Sequence, residues 1–302
     1  MQCVLLGTGT SHGIPVIGCS CPCCTSSDAR DKRLRSSLWI TDGSADSGAY
    51  TSIIIDTGPE FRIQALRFGI KKLDAVFLTH GHADHLNGLD DVRIFSHTCP
   101  GAAADSSDAG LPVYGNAQTI TDVHERFSYI FHPPTEGGGT PKLHTVVCSS
   151  SRDAEGIKAG SLTLIPVPLL HGSLETTGWL VSDGRSSVAY LTDCSVIPDY
   201  SIALLQSQRT PIEHLIIDGL RRRPHDTHLS FDESIAYALR AGAKHIWLTH
   251  ICHDMKHEEI DSYVRAYDLR HTDSENRTCR ASTVAPAYDG LVLRVPDSAG
   301  TE

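Results

Sequence analysis

Three imidazoles and one carboxylate fall within six residues at His80-Gly81-His82-Ala83-Asp84-His85. Imidazole nitrogens and carboxylate oxygens are the common protein ligands of divalent metals. In a tight turn, His80 and His82 can share one ion while Asp84 and His85 turn toward a second. That is the arrangement a two-metal hydrolytic centre requires. The chain holds 17 His, so a histidine-rich surface loop is the plain alternative. Against it, this cluster carries an Asp and directly follows the apolar run Ala75-Val76-Phe77-Leu78-Thr79, which reads as a buried strand.

Other strand-like runs end in further donors. Leu78-Thr79-His80, Leu191-Thr192-Asp193 and Leu248-Thr249-His250 repeat one pattern after the stretches Ala75 to Leu78, Val188 to Leu191 and His245 to Leu248. The run Leu162 to Leu170 ends at His171. Open α/β sheets place their ligands outside the carboxyl ends of strands. His80, His171, Asp193 and His250 are therefore predicted to meet at one edge and close two metal sites. A single His after a strand would ordinarily be a hydrogen-bonded core or rim residue; the repetition is what points to a site.

A second constellation lies near the N-terminus, where Cys19-Ser20-Cys21-Pro22-Cys23-Cys24 holds four thiols in six residues. The chain has ten Cys, and Met1-Gln2-Cys3-Val4 lacks a charged, signal-like start. Those features suggest a reducing compartment, most simply the cytosol, and metal binding rather than disulfides. Cys19, Cys21 and Cys24 supply three soft ligands, and a tetrahedral structural zinc needs one more. His253, three residues after His250, is the candidate, so one loop would serve both kinds of site. Cys23 and Cys252 are rival ligands that spacing leaves open. Merely buried or reactive thiols are the bland alternative.

The elements that must hold these residues alternate between helix and strand. Phe61 to Gly69 has helical spacing. Phe231 to Ala241 reads as a helix capped by Ser230, with Glu233 completing a capping box. Asp261 to Leu269 is predicted as another amphipathic helix. Polar, small-residue stretches at Asp42 to Ala49, Gly101 to Gly110 and Pro133 to Thr140 read as surface loops. The donors are interleaved from His80 to His250, so residues 1–302 are predicted to be one domain. A net charge of −10 disfavours nucleic acid as a partner. No apolar run is long enough to span a bilayer.

With these residues in place, the chain resembles the metallo-β-lactamase superfamily, over nearly its whole length. The resemblance implies a four-layer αββα sandwich. It also implies His80, His82 and His171 on one ion, Asp84, His85 and His250 on a second, and Asp193 bridging them. Asp56, in Ile53-Ile54-Ile55-Asp56-Thr57-Gly58, matches the family's early acidic turn and is expected to support ligands rather than to be one. The segment Gly7-Thr8-Gly9-Thr10-Ser11-His12-Gly13-Ile14-Pro15, followed by the thiols, resembles the phosphoribosyl 1,2-cyclic phosphate phosphodiesterase branch. That branch carries a structural zinc on those thiols and a late His.

The expected chemistry is metal-dependent hydrolysis of a small anionic phosphodiester of cyclic, sugar-phosphate type. Two divalent ions, set against Asp84, Asp193 and a bridging hydroxide, leave a net charge of about +1 that suits such an anion. The active-site ions are expected to be zinc or manganese, with iron also compatible, and the thiols to hold a third, structural zinc. A leaving alkoxide needs a proton, and His228, between an apolar run and a helix, is the candidate donor; related enzymes carry a His in the matching segment. His225 is its competitor. Arg221, Arg222 and Arg223 could grip a second phosphate, or simply form a solvated charged loop. The alternatives are a cyclic-nucleotide phosphodiesterase, a tRNA 3′-processing endonuclease, a thioester or lactam hydrolase, and an inactive zinc-bearing scaffold. A homodimer is compatible with all of these readings.

Overall fold

A computed structural model of the chain describes residues 1–44, 49–98, 109–132, 139–151, 153, 155–272 and 278–295. The first half supplies β1 (Gln2–Gly7), β2 (Ser37–Ser44), β3 (Ala49–Ile55), β4 (Ala75–Phe77), β5 (Leu111–Gly115) and β6 (Leu143–Val147). The second half supplies β7 (Ile157–Ala159), β8 (Leu162–His171), β9 (Leu174–Ser182), β10 (Ser187–Leu191), β11 (Ile212–Asp218) and β12 (His245–Thr249). They are followed by β13 (Arg270–Thr272), β14 (Thr278–Arg280), β15 (Thr283–Pro286) and β16 (Val292–Arg294). Two seven-stranded sheets result, in the orders β16-β1-β2-β3-β4-β5-β6 and β15-β12-β11-β10-β9-β8-β7, with β13 and β14 paired separately. The helices are α1 (Phe61–Phe68), α2 (Ala83–Leu86), α3 (Arg93–Ser96), α4 (Ala117–Arg126), α5 (Ser128–Phe131), α6 (Asp199–Gln206), α7 (Phe231–Arg240) and α8 (His257–Val264).

Alternation along the strands sorts the apolar side chains into layers. Cys3, Leu5, Ile53, Ile55 and Phe77 meet Leu164, Trp179, Val188, Tyr190 and Ile216 between the sheets. Their sequence neighbours Val4, Leu6, Ile54 and Val76 pack outward with Phe61 of α1 and Val123 of α4. On the far side, Ala189, Leu191, Leu215 and Ile217 pack with Ile202 of α6, Ile235 of α7 and Ile260 of α8. The product is the αββα sandwich, which apolar burial on both faces of each sheet demands. No helix is long and apolar enough to cross a membrane among the described residues.

Strand direction decides where the chemistry goes. Strands β3 to β6 run parallel, as do β10, β11, β12 and β15. Strand β8 is antiparallel to β9, which is antiparallel to β10, so β8 runs with β10. The sheets are stitched where β4 ends: Thr177 N–H donates to Thr79 O at 2.9 Å, and Trp179 Nε1–H donates to Leu78 O at 3.2 Å. The carboxyl ends of β4, β8, β10, β11 and β12 thereby deliver His80, His171, Asp193, Asp218 and His250.

Two expectations are corrected. The late helix is His257–Val264, not Asp261 to Leu269. Glu259 accepts the Lys256 N–H at 2.7 Å and so starts the helix earlier, with His257, Ile260 and Val264 as its buried stripe. The stretch Asp42 to Ala49 is not simply a loop, because cross-strand pairing continues through Asp42↔Thr51, Gly43↔Tyr50 and Ser44↔Ala49. Residues 45–48, 101–108 and 133–138, in the expected insertions, lie outside the described residues.

Ser230 caps α7, and Glu233 closes the reciprocal capping box. Ser230→Ala is expected to lower the unfolding free energy by about 1 kcal/mol, measured by chemical denaturation. An unchanged midpoint would show that α7 is held by packing alone.

Candidate metal centre

The His80–His85 turn works because β4 ends in a buried strand and a short helix follows at once. His82 is extended and sits at the N-cap of α2, and that single turn of helix buries Asp84 and His85. A Cβ at Gly81 would overlap the Asp122 side chain, which would have to move to admit it. Two donor groups that share a carboxylate form at this edge, beside a third made of Asp218, His228 and His250. His80, His82, His171 and Asp193 make one, and Asp84, His85, Asp193 and His250 make the other; within each, the donor atoms all lie within 4.8 Å of one another. Asp193 belongs to both.

Backbone conformation is specialised here. Asp56, Asp193 and His250 follow strand ends with φ of 65°, 52° and 58°. A left-handed conformation outside glycine is sparsely populated and costs roughly 1–3 kcal/mol. It is retained where surrounding bonds dictate it, and all three residues stand at or just past strand ends in this cluster.

Hydrogen bonding then sorts the imidazole nitrogens. His80 Nδ1 lies 3.0 Å from Thr79 Oγ1, His85 Nδ1 2.7 Å from Asp56 Oδ2, and His171 Nδ1 2.5 Å from Thr227 O. Asp56 also accepts from Thr79 N and Oγ1, both at 2.8 Å, so it anchors the turn as a supporting carboxylate. The inward atoms have no such partners. Nε2 of His80, Nε2 of His85 and both nitrogens of His250 are buried without a hydrogen bond. Carboxylate oxygens of Asp84 and Asp193 approach them at 3.0–3.8 Å without closing one. Unpaired buried polar atoms are expensive, and converging nitrogens with two carboxylates are the donor set a divalent ion satisfies. The residues fit a pair of such ions.

Burial opposes charge throughout this cluster, with different outcomes. On His80 burial prevails and holds the imidazole below the usual histidine range. On His85 burial also opposes charge, but Asp193, Asp84 and Asp56 outweigh it and raise the group. Asp84 and Asp193 stay well below the carboxylate range, because the neighbouring imidazoles His85 and His250 overcome their desolvation.

His228 stands beside the centre. Its ring lies 4.5 Å from His171 and 4.7 Å from His250, nearly parallel to the latter. Nδ1 meets Asp218 Oδ2 at 2.8 Å, and the same oxygen accepts Cys194 N–H at 2.9 Å. Burial pushes His228 toward neutrality, yet Asp218's charge and hydrogen bond prevail and raise it. Asp218 is not among the expected site residues. Its signal was available, since Ile216-Ile217-Asp218 is another apolar run ending in an acid.

The expected substrate residues divide. His225 is exposed, with Nδ1 accepting from Thr227 N and Oγ1 and its ring 5.3 Å from His228. Arg221 is tied to the carbonyls of Arg223 and Pro224. Arg222 lies 4.7 Å over the Tyr263 ring and Arg223 pairs with Asp254 at 2.9 Å. Each of the three guanidiniums thus already has a partner within the protein, and Arg222 and Arg223 line one cavity with Pro224, His253 and Asp254.

The thiols gather separately. Sγ of Cys19 and Cys21 lie 3.4 Å from His253 Nδ1, and Sγ of Cys24 lies 3.5 Å from it. Backbone N–H groups of Val16, Cys21 and Cys24 donate to Cys24, Cys19 and Cys21 sulfurs. The Cys24 N–H contributes most to holding Cys21 down at about 6, against desolvation, with His253 assisting. Cys23 and Cys252 lie outside this group, and burial pushes them up to about 12 and about 11. A tetrahedral zinc suits the four gathered donors.

A family model described as a beta-lactamase superfamily domain matches residues 51–251. The crystal structure of a new diphosphatase from the PhnP family is 38% identical, with a TM-score of 0.76 over 97% of this chain and 96% of that one. An octanoyltransferase of Porphyromonas gingivalis is 36% identical over 84% of this chain and 46% of its own length, so the chain spans less than half of that relative. Zn(2+)-bound PqqB from Methylobacterium extorquens shares the fold at 18% identity, with a TM-score of 0.68 over 98% of this chain and all of that one.

Cys21→Ser is expected to lower the melting temperature by a few degrees or more, while turnover per folded molecule changes less. A metal held by the folded state alone contributes folding free energy. An unchanged melting temperature in zinc-replete buffer would mean that the thiols hold no stabilising ion.

Proposed function

The chain belongs to the beta-lactamase superfamily, among the PhnP-like metal-dependent hydrolases, and we propose that it hydrolyses a small phosphodiester, of cyclic sugar-phosphate type. The observation that carries this reading is Asp193 shared by two donor groups, with the Asp218–His228 pair alongside. We assign His80, His82 and His171 to one ion, Asp84, His85 and His250 to the other, and Asp193 to both. Bound there, two divalent ions would lower the pKa of water and offset charge on phosphate oxygens.

The chain's own residues supply orientation and a proton. Asp56 and the Thr227 carbonyl fix the His85 and His171 rings through Nδ1, which leaves Nε2 for the ion. Asp218 holds His228 through Nδ1 and favours its protonated form, as a donor to a leaving alkoxide requires. We assign His225, whose ring lies 5.3 Å from that of His228, to the leaving group's polar end. A second reading is cleavage of a diphosphate, favoured by the 38% identity to the PhnP-family diphosphatase. The same centre would serve, and parallel assays on a cyclic sugar phosphate and a sugar diphosphate separate the two.

Asp193→Ala is expected to reduce diester hydrolysis more than a hundredfold with the fold kept. Losing an outer partner of a ligand alone costs about 10–100-fold, and Asp193 is assigned to both ions. Retention of most activity with both ions bound would refute the shared role. His228→Ala is expected to slow a sugar-type diester by about 10²–10⁴-fold and bis-p-nitrophenyl phosphate far less, because nitrophenolate leaves without a proton. Equal losses on both substrates would make His228 a phosphate clamp instead, and wild-type rates on both would shift the donor role to His225.

A further inference from the structure

One buried cation lies outside the donor groups and is unused by the chemistry above. Arg33 is only 2% exposed. Its Nη1 donates to Thr8 Oγ1 at 2.8 Å and to Ala287 O at 2.5 Å, and Nη2 reaches His257 Nδ1 at 3.2 Å. Among the described residues no carboxylate is hydrogen-bonded or ion-paired to it; Asp289 is reached through the Thr8 hydroxyl, which donates to Asp289 Oδ1 at 2.8 Å. A buried charge satisfied mainly by neutral acceptors is poor value for stability alone.

Its partners flank one catalytic residue. Ala287, whose carbonyl Arg33 holds, donates its N–H to Leu248 O at 2.8 Å, two residues before His250. Thr8, whose hydroxyl Arg33 holds, accepts Ile251 N–H at 3.0 Å, and Thr10 N–H returns to Ile251 O at 3.3 Å, directly after His250. His257, the third partner, opens α8 four residues beyond His253, and its N–H is fixed by Asp31 at 2.6 Å. Burial and then the charge of Arg33 press His257 down to about 4, so its Nδ1 remains an acceptor. Packing leaves little slack, since a Cβ added at Gly9 would lie 2.9 Å from Arg33 Cβ. His250 itself is held at φ 58°, a conformation that only surrounding bonds can maintain.

We propose that Arg33 is a positioning residue for His250: one guanidinium locks the backbone on both sides of the turn that aims this imidazole at its ion. The inference rests on the two-ion reading. The geometry makes its effect local, because His80, His82 and His171 arrive on β4 and β8, which Arg33 does not touch.

The test is a chelator-buffered Zn²⁺ titration of Arg33→Met and Thr8→Val, with occupancy at each position read from anomalous scattering in crystals. Both variants are expected to bind the Asp84–His85–His250 ion at least about tenfold more weakly, as loss of an outer support does. The His80–His82–His171 ion should change by less than about threefold. Thr8→Val keeps the guanidinium and its other partners, so it decides the matter if Arg33→Met does not fold. Equal weakening of both ions, unchanged affinities with a lower melting temperature, or failure of both variants to fold would each make Arg33 a core residue and overturn the proposal. Absence of both ions from the wild-type protein would instead overturn the two-ion reading.

Discussion

Asp193 is the buried carboxylate on which the geometry turns. One oxygen lies 3.3 Å from His250 Nε2 and 3.8 Å from His80 Nε2, and the other lies 3.0 Å from His85 Nε2. These imidazoles come from both sheets. Their convergence requires the carboxyl ends of β4, β10 and β12 to share one edge, and the β9 hydrogen bonds to Leu78 and Thr79 hold the sheets in that register. Without that stitch, the donors would belong to two separate faces.

Gathering such groups in a dry interior is costly, and the fold offsets the cost in layers. Strained backbone at Asp56, Asp193 and His250 aims the side chains. Supporting acceptors then fix the rings: Asp56 for His85, Thr227 for His171, Asp218 for His228. Arg33, by the inference above, steadies the backbone around His250. Each layer is farther from the chemistry, and each leaves the inward nitrogens with less freedom to turn away.

Short-range spacing made much of the centre legible. Six residues after an apolar run placed His80, His82, Asp84 and His85, because a strand end followed by one helical turn leaves little choice of direction. The Leu-Thr repeats marked the ends of β4, β10 and β12 for the same local reason, and the capping box announced α7. What depends on distant partners was not legible. Asp218 is orphaned in sequence and gains meaning only beside His228, ten residues on. The partners of Arg222 and Arg223, Tyr263 and Asp254, likewise come from elsewhere in the chain, and spacing around the arginines gave no sign of them. Arg33 gives no local signal at all, since its partners lie near both ends of the sequence.

The central claim is that one carboxylate holds two ions together at the junction of the sheets. Anomalous difference maps from crystals of zinc-reconstituted protein test it most directly. The account predicts two peaks on either side of Asp193, about 3.5–4 Å apart as in other paired sites, and a third among Cys19, Cys21, Cys24 and His253. A single peak at the histidine cluster, or two peaks of which only one touches Asp193, would contradict it.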